Sequence, residues 1–226
     1  MPKISFHSTH PGLEDIDALR PVRLIDDIPE WFKDMPRESD LMPTAKQCPS
    51  FVDLFRSAYV LKAWCDMEFT FFPRENRWEW SRPSNLFKID DSHPRTQLLD
   101  HLPTDKWVEV IKPSSPWMCE TPKGYSTYQL DYPFNFNNDF DVWPGVTHND
   151  IYHETNVQLF IKKKSDDPFV VNIMREQPLA LIVPFRREQW DLEVTGDGQK
   201  HLNKSALVST TKFKNAYRQL TKGWIK

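Results

Sequence analysis

Glycine is scarce in this chain, with six residues (Gly12, Gly124, Gly145, Gly196, Gly198 and Gly223) against nineteen prolines in 226 positions. Phosphate-cradling loops depend on glycine, because backbone amides must approach the anion closely. No Walker spacing followed by Lys-Ser or Lys-Thr occurs. The single Gly-x-Gly, Gly196-Asp197-Gly198, is followed by His201 where a dinucleotide fingerprint requires its third glycine, so it reads as a polar turn. A Gly-x-Ser-x-Gly elbow and a His-Glu-x-x-His helix are missing too, which removes the commonest hydrolase and zinc-protease signatures.

Cysteine is equally sparse. Cys48, Cys65 and Cys119 contain no Cys-x-x-Cys pair, and three thiols cannot all enter disulfides, so they read as reduced and mostly buried. Long apolar runs are also lacking. The longest spans residues 179–183, far below the roughly 20 residues of a membrane-crossing helix. Residues 1–7 contain no apolar segment of the signal-peptide kind, and the expected location is cytoplasmic. A formal net charge of −3 disfavours general affinity for nucleic acid.

What is present is a β-rich middle between two arms. With 39% hydrophobic and 27% charged residues, the composition is that of a globular domain, able to bury roughly 70–75% of its unfolded surface. Met67, Phe69 and Phe71 alternate with Glu68 and Thr70, and Trp78 and Trp80 alternate with Arg77 and Glu79 across the turn formers Pro73 to Asn76, which predicts a hairpin. Further strands are expected over 107–112, 125–130, 156–162, 169–172, 179–184 and 190–194. Short strands separated by turn clusters predict a mainly β fold, an antiparallel sandwich or barrel with short helices. The whole chain reads as one domain: a Pro-rich acidic strap over 1–47, a β-rich body over 48–198 and a basic carboxyl-terminal helix over 199–226.

In the strap, Trp31 and Phe32 lie on a short helical stretch between prolines and are expected to pack on the body. A second short helix is expected over 50–56, after Cys48-Pro49. From 199 onward there are seven Lys or Arg residues and no acid, with Phe213, Tyr217, Leu220 and Trp224 on one stripe of an amphipathic helix. That helix would dock on the rest of the protein. It is also the one place where nucleic acid or an anionic surface would bind.

Five phrases carry a resemblance to a known lineage: Ile28-Pro29-Glu30-Trp31-Phe32-Lys33, Cys48-Pro49-Ser50-Phe51, Pro122-Lys123-Gly124-Tyr125-Ser126, Pro144-Gly145-Val146 with Asp150, and Pro184-Phe185-Arg186-Arg187-Glu188. They resemble a family of tailed-phage proteins, chiefly from cyanophages and with bacterial relatives, which brings no established activity with it. Gly145, Val146 and Asp150, with the run 179–183, are also similar to the trimeric dUTPase and dCTP-deaminase β-fold. Here His148 stands where that fold has its water-activating aspartate, and the Gly-Arg-Ser-Ser segment and Gly-rich tail are absent. The resemblance therefore implies architecture and not chemistry.

Polar residues that would perform chemistry concentrate after the Pro144-Gly145 turn. A hairpin over 145–154 would place His148, Asp150, His153 and Glu154 in a cleft with Arg186 and Arg187, a candidate ligand-binding site. His148-Asn149-Asp150 has the His-x-Asp spacing of a facial iron triad, with His201 as the distal ligand, so an Fe(II)/2-oxoglutarate-type oxygenase is the enzyme alternative. His201 is expected in a turn before the last helix, remote from His148, and no cofactor is the preferred expectation. His93 is a further histidine that would join from elsewhere. Trp78 and Trp80 share a strand face and would form a platform for a sugar or base, or pack in the core. The reading favoured is an accessory or interaction protein of phage type, in the host cytoplasm or the virion, that binds a protein partner or small ligand, alone or as a homo-oligomer, without catalytic machinery. A virion structural component is the third class.

Overall fold

Alternation and turn chemistry produce the expected hairpin. In the computed structural model, which describes residues 2–39, 42–81, 89–90, 95–136 and 139–210, the strands come in the order β1 (Ser5–Ser8), β2 (Val22–Arg23), β3 (Glu38–Ser39), β4 (Met42–Pro43), β5 (Tyr59–Lys62), β6 (Met67–Phe72) and β7 (Arg77–Ser81). They continue with β8 (Ile89–Asp90), β9 (Trp107–Pro113), β10 (Trp117–Glu120), β11 (Tyr125–Asp131), β12 (Phe140–Val142), β13 (Gly145–Thr147), β14 (Leu159–Lys162), β15 (Phe169–Ile173) and β16 (Pro178–Arg186). Helices are few: α1 (Glu30–Asp34), α2 (Pro49–Ser57), α3 (Gly198–Thr210) and short 3₁₀ turns. The stripe Phe213, Tyr217, Leu220 and Trp224, and His93, lie outside the described residues.

β6 and β7 pair with Phe69 opposite Trp80 and Phe71 opposite Trp78. Pro73 opens the connecting turn, and Asn76 closes it at φ 48°, a left-handed conformation that asparagine tolerates better than most residues. All the pairings are antiparallel: a five-stranded sheet β13-β11-β16-β5-β2, a four-stranded sheet β12-β14-β9-β8, a three-stranded sheet β15-β6-β7, and the pairs β1-β10 and β3-β4. Among the described residues no sheet closes on itself. The fold is thus mainly β, and its open sheets fit a sandwich rather than a barrel.

The chain divides into two compact units, residues 1–33 with 54–187, and residues 34–53 with 188–226. In the first unit, one core cluster draws Leu61 from β5, Phe69 and Phe71 from β6, Ile111 from β9, Leu159 and Ile161 from β14, Val171 and Ile173 from β15, and Leu179 and Ile182 from β16. Residues before 34 are woven into this unit through β1 on β10 and β2 on β5. Phe32 is buried edge-on against Phe55 (5.4 Å between centroids) and also meets Phe134 (5.6 Å), while Trp31 stays half-exposed against Phe134 and Phe136. Burying one ring of a Trp-Phe pair between prolines satisfies the local preference without needing both.

The second unit contains the two-residue pairing of β3 and β4, braced by Thr44 Oγ1 donating to the Pro36 carbonyl (2.6 Å) and Gln47 Nε2 to that of Arg37 (2.8 Å). It also holds α3. His201 lies within this helix and not in a turn, a correction of the expected placement. The turn ends at Gly198, because the next twelve residues carry neither Gly nor Pro and Asp197 stands at the helix entrance, where a carboxylate favours the positive end of the dipole.

Two expected strands differ from the finding. Of residues 156–162 only Leu159–Lys162 is a strand, paired with β12 and β9. Residues 190–194 have the period of a strand but pair with no strand among the described residues, and propensity alone does not make one.

Candidate functional site

The turn Pro122-Lys123-Gly124-Tyr125 brings the start of β11 beside the segment after β13. Tyr125 N–H donates to the Pro122 carbonyl (3.0 Å), and Gly124 takes φ +85°, the left-handed third position of a type II turn. Both polar groups of Gly124 are then used: its N–H donates to Asp150 Oδ2 (2.9 Å), and its carbonyl accepts the N–H of Arg187 (2.9 Å). Strand β16 ends where this contact is made.

Arg187 completes the arrangement. Its Nη1 donates to Asp150 Oδ1 (2.8 Å) and its Nη2 to Asp150 Oδ2, a bidentate pair, and Nη1 also donates to Ser126 Oγ (3.0 Å). Ser126 Oγ lies 2.8 Å from His148 Nδ1, so the hydroxyl accepts from the guanidinium and its own proton can pass to the imidazole. Hydrogen bonds from Arg187 and then from Gly124 N–H hold the Asp150 carboxyl at about 2, well below the usual carboxylate range. Ser126 has no exposed surface, Asp150 Oδ1 and Oδ2 both accept from Arg187, and His148 is exposed.

Beneath this cluster, Asn149 is nearly inaccessible and ties the turn to the sheet. It accepts from Thr127 Oγ1 (2.6 Å) and donates to the Tyr152 carbonyl (3.3 Å), while its own carbonyl accepts the Thr121 N–H (3.3 Å). His148 closes the local turn by accepting the N–H groups of Ile151 (2.9 Å) and Tyr152 (2.8 Å) at its carbonyl. The segment after β13 is therefore a turn, and β13 pairs with β11; the expected hairpin over 145–154 does not form.

The six candidate cleft residues separate into groups. His148, Asp150 and Arg187 come together around Ser126. His153 and Glu154 instead run along β10: Cys119 N–H donates to the His153 carbonyl (2.7 Å), Glu154 bridges Met118, and Glu154 accepts from the Tyr152 hydroxyl and Asn156 Nδ2. Arg186 is exposed opposite Tyr125. Trp78 and Trp80 are half-buried and pack against the core cluster, Trp78 tilted on Phe69 at 6.1 Å, while Arg77, Glu79 and Ser81 take the exposed face.

Both Asp150 oxygens accept from the Arg187 guanidinium, and His201 lies on α3. Among the described residues no three His, Cys, Asp or Glu side chains are placed to share a metal ion. The cysteines are unpaired with one another; burial pushes the Cys119 thiol up to about 12, and burial together with Asp66 pushes Cys65 up to about 11, so neither is a thiolate at neutral pH. Sequence reasoning missed Ser126, Thr127, Asn149 and Gly124. Only Gly124, following Pro122 and Lys123, carried a turn signal from which its role could have been read.

Above the cluster the sheet presents an apolar face. Directly paired residues share a face, so Tyr128, opposite both Val146 and Val183, lies with Ser126 and its partner Phe185. Tyr128 and Phe185 stack at 4.2 Å and 21°. Tyr128 is 42% exposed, Val146 50%, and Ile151 in the following turn 76%.

No protein-family model matches the chain, the tailed-phage lineage included, and no curated protein matches it. Among solved structures, the dUTPase of Staphylococcus bacteriophage 80alpha is similar at 9% identity over 57% of this chain and 96% of that one, with a TM-score of 0.28. The dUTPase of phage phi11 of S. aureus is similar at 10% identity over 57% and 96%, with a TM-score of 0.29. Superpositions this shallow carry no argument about activity or ligand.

Proposed function

We propose that this is an accessory, interaction protein of phage type, which binds a protein partner through the exposed face of β13, β11 and β16 and the turn that follows β13. The observation that supports it is the juxtaposition of an exposed aromatic and aliphatic surface, Tyr128 stacked on Phe185 beside Val146, with the exposed His148 beside Ser126. Aromatic anchors ringed by polar groups are the usual composition of a binding surface. Beneath the rim, the Ser126-Asp150-Arg187 cluster gives this face its rigidity, since two strands and a turn are pinned to one guanidinium.

The test is affinity capture from a lysate of the natural source with the parent protein, a Tyr128→Ala/Ile151→Asp variant, and a Glu14→Ala control. A partner retained by parent and control and lost with the face variant supports the reading. Equal retention by all three sinks it.

A further inference from the structure

One hydrogen-bond chain on the β13-β11-β16 face ends in solvent. Val146 pairs with Tyr128 and Thr147 with Thr127, so the next residue, His148, comes across from Ser126 where β13 ends. On the other side Ser126 is paired with Phe185. Ser126 lies between the two with no exposed surface, while His148 is exposed.

The protons of this chain can be counted. Arg187 keeps its charge and has only donors, so its Nη1 contact with Ser126 Oγ (3.0 Å) is a donation to the oxygen. The serine hydroxyl has one proton of its own, and its other hydrogen-bond partner among the described residues is His148 Nδ1, at 2.8 Å. A proton on Nδ1 would leave that buried hydroxyl hydrogen without an acceptor, a costly state for a donor shut off from water. Nδ1 is therefore the bare, accepting nitrogen. The imidazole proton then sits on Nε2, on the far side of the exposed ring, where no partner among the described residues meets it. An unrestrained histidine offers either nitrogen as donor or acceptor, because its two tautomers exchange. Here only a donor is offered.

We propose that His148 sets the specificity of this face: the relay from Arg187 through Ser126 holds it as the Nε2–H tautomer, and the face takes a partner that brings an acceptor oxygen beside Val146 and Tyr128. This rests on the reading of the face as a protein-binding surface. Val146 and Tyr128 supply apolar contact, which any apolar group can share, and the Nε2–H discriminates. A partner with a donor at the same place would oppose two hydrogens, which selects against it.

The test is read first on the full chain alone. Long-range proton–nitrogen correlation at about pH 8.5, where an imidazole of ordinary value is neutral, separates the two ring nitrogens. Of the seven histidines, the one whose signals vanish in His148→Gln is assigned. The parent should show a bare Nδ1 and a protonated Nε2 as a single tautomer, with the Ser126 hydroxyl proton visible and slow to exchange. Ser126→Ala, checked for folding by circular dichroism, should return the ring to mixed tautomers. A protonated Nδ1 or mixed tautomers in the parent, or an unchanged ring in Ser126→Ala, would each overturn the relay. For the partner captured from the lysate, His148→Glu, which has only acceptors, should lose it, and His148→Gln, whose amide donates near the Nε2 position, should recover it. Retention with both or loss with both overturns the specificity and leaves the surface standing, whereas failure of the surface itself shows as retention by Tyr128→Ala/Ile151→Asp.

Discussion

Arg187 holds both carboxylate oxygens of Asp150, with Nη1 2.8 Å from Oδ1 and Nη2 on Oδ2, across a separation of 37 residues. The pair joins the end of β16 to the turn after β13, and the Gly124 N–H shares the same carboxylate. Lysine cannot reproduce this two-pronged geometry. Arg187→Lys should therefore lower the thermal midpoint by several degrees, nearly as much as Arg187→Ala, as read by calorimetry.

Acid stability follows from the same pair. Because Arg187 and Gly124 depress the folded Asp150 to about 2, below its unfolded value, its contribution is complete above the ordinary carboxylate range near pH 4 and is lost as pH falls through about 2. Asp150→Asn should lower stability at neutral pH and flatten the dependence of unfolding free energy on pH between about 4 and 2. A variant with the parent's slope in that window would contradict the assignment.

Gly124 sits at φ +85° with open space around its α-carbon, so conformation and not crowding selects glycine. Gly124→Ala should cost about 1–2 kcal/mol, measured by denaturant unfolding. Gly145→Ala, at a position without positive φ, should cost less.

Phe32 is 6% exposed and wedged between Phe55 and Phe134. Phe32→Ala should cost about 3–5 kcal/mol, against well under half of that for Trp31→Ala, because Trp31 remains 48% exposed. Equal losses for the two would place both rings in the core.

The hairpin of β6 and β7 was legible because period-two alternation and its turn residues are local signals. The short helix at α2 was legible for the same reason, since Cys48-Pro49 opens it. Ser126 gave no comparable signal: its partners His148 and Arg187 are 22 and 61 residues away, and one serine in a strand looks like any other until register brings them together. Asn149 was hidden between two more conspicuous residues, His148 and Asp150, although it is the one buried. Residues 190–194 show the opposite failure: the period-two alternation is there, but no strand forms over them.

Asp150 is held at both oxygens by Arg187, which pins the turn after β13 to the end of β16. Anaerobic calorimetric titration of Fe(II) into the full chain, with His148→Ala and Asp150→Asn in parallel, distinguishes this lock from a metal ligand. No saturable binding that depends on either side chain is expected. One equivalent of Fe(II) bound by the parent and lost in both variants would make Asp150 a ligand and favour the oxygenase.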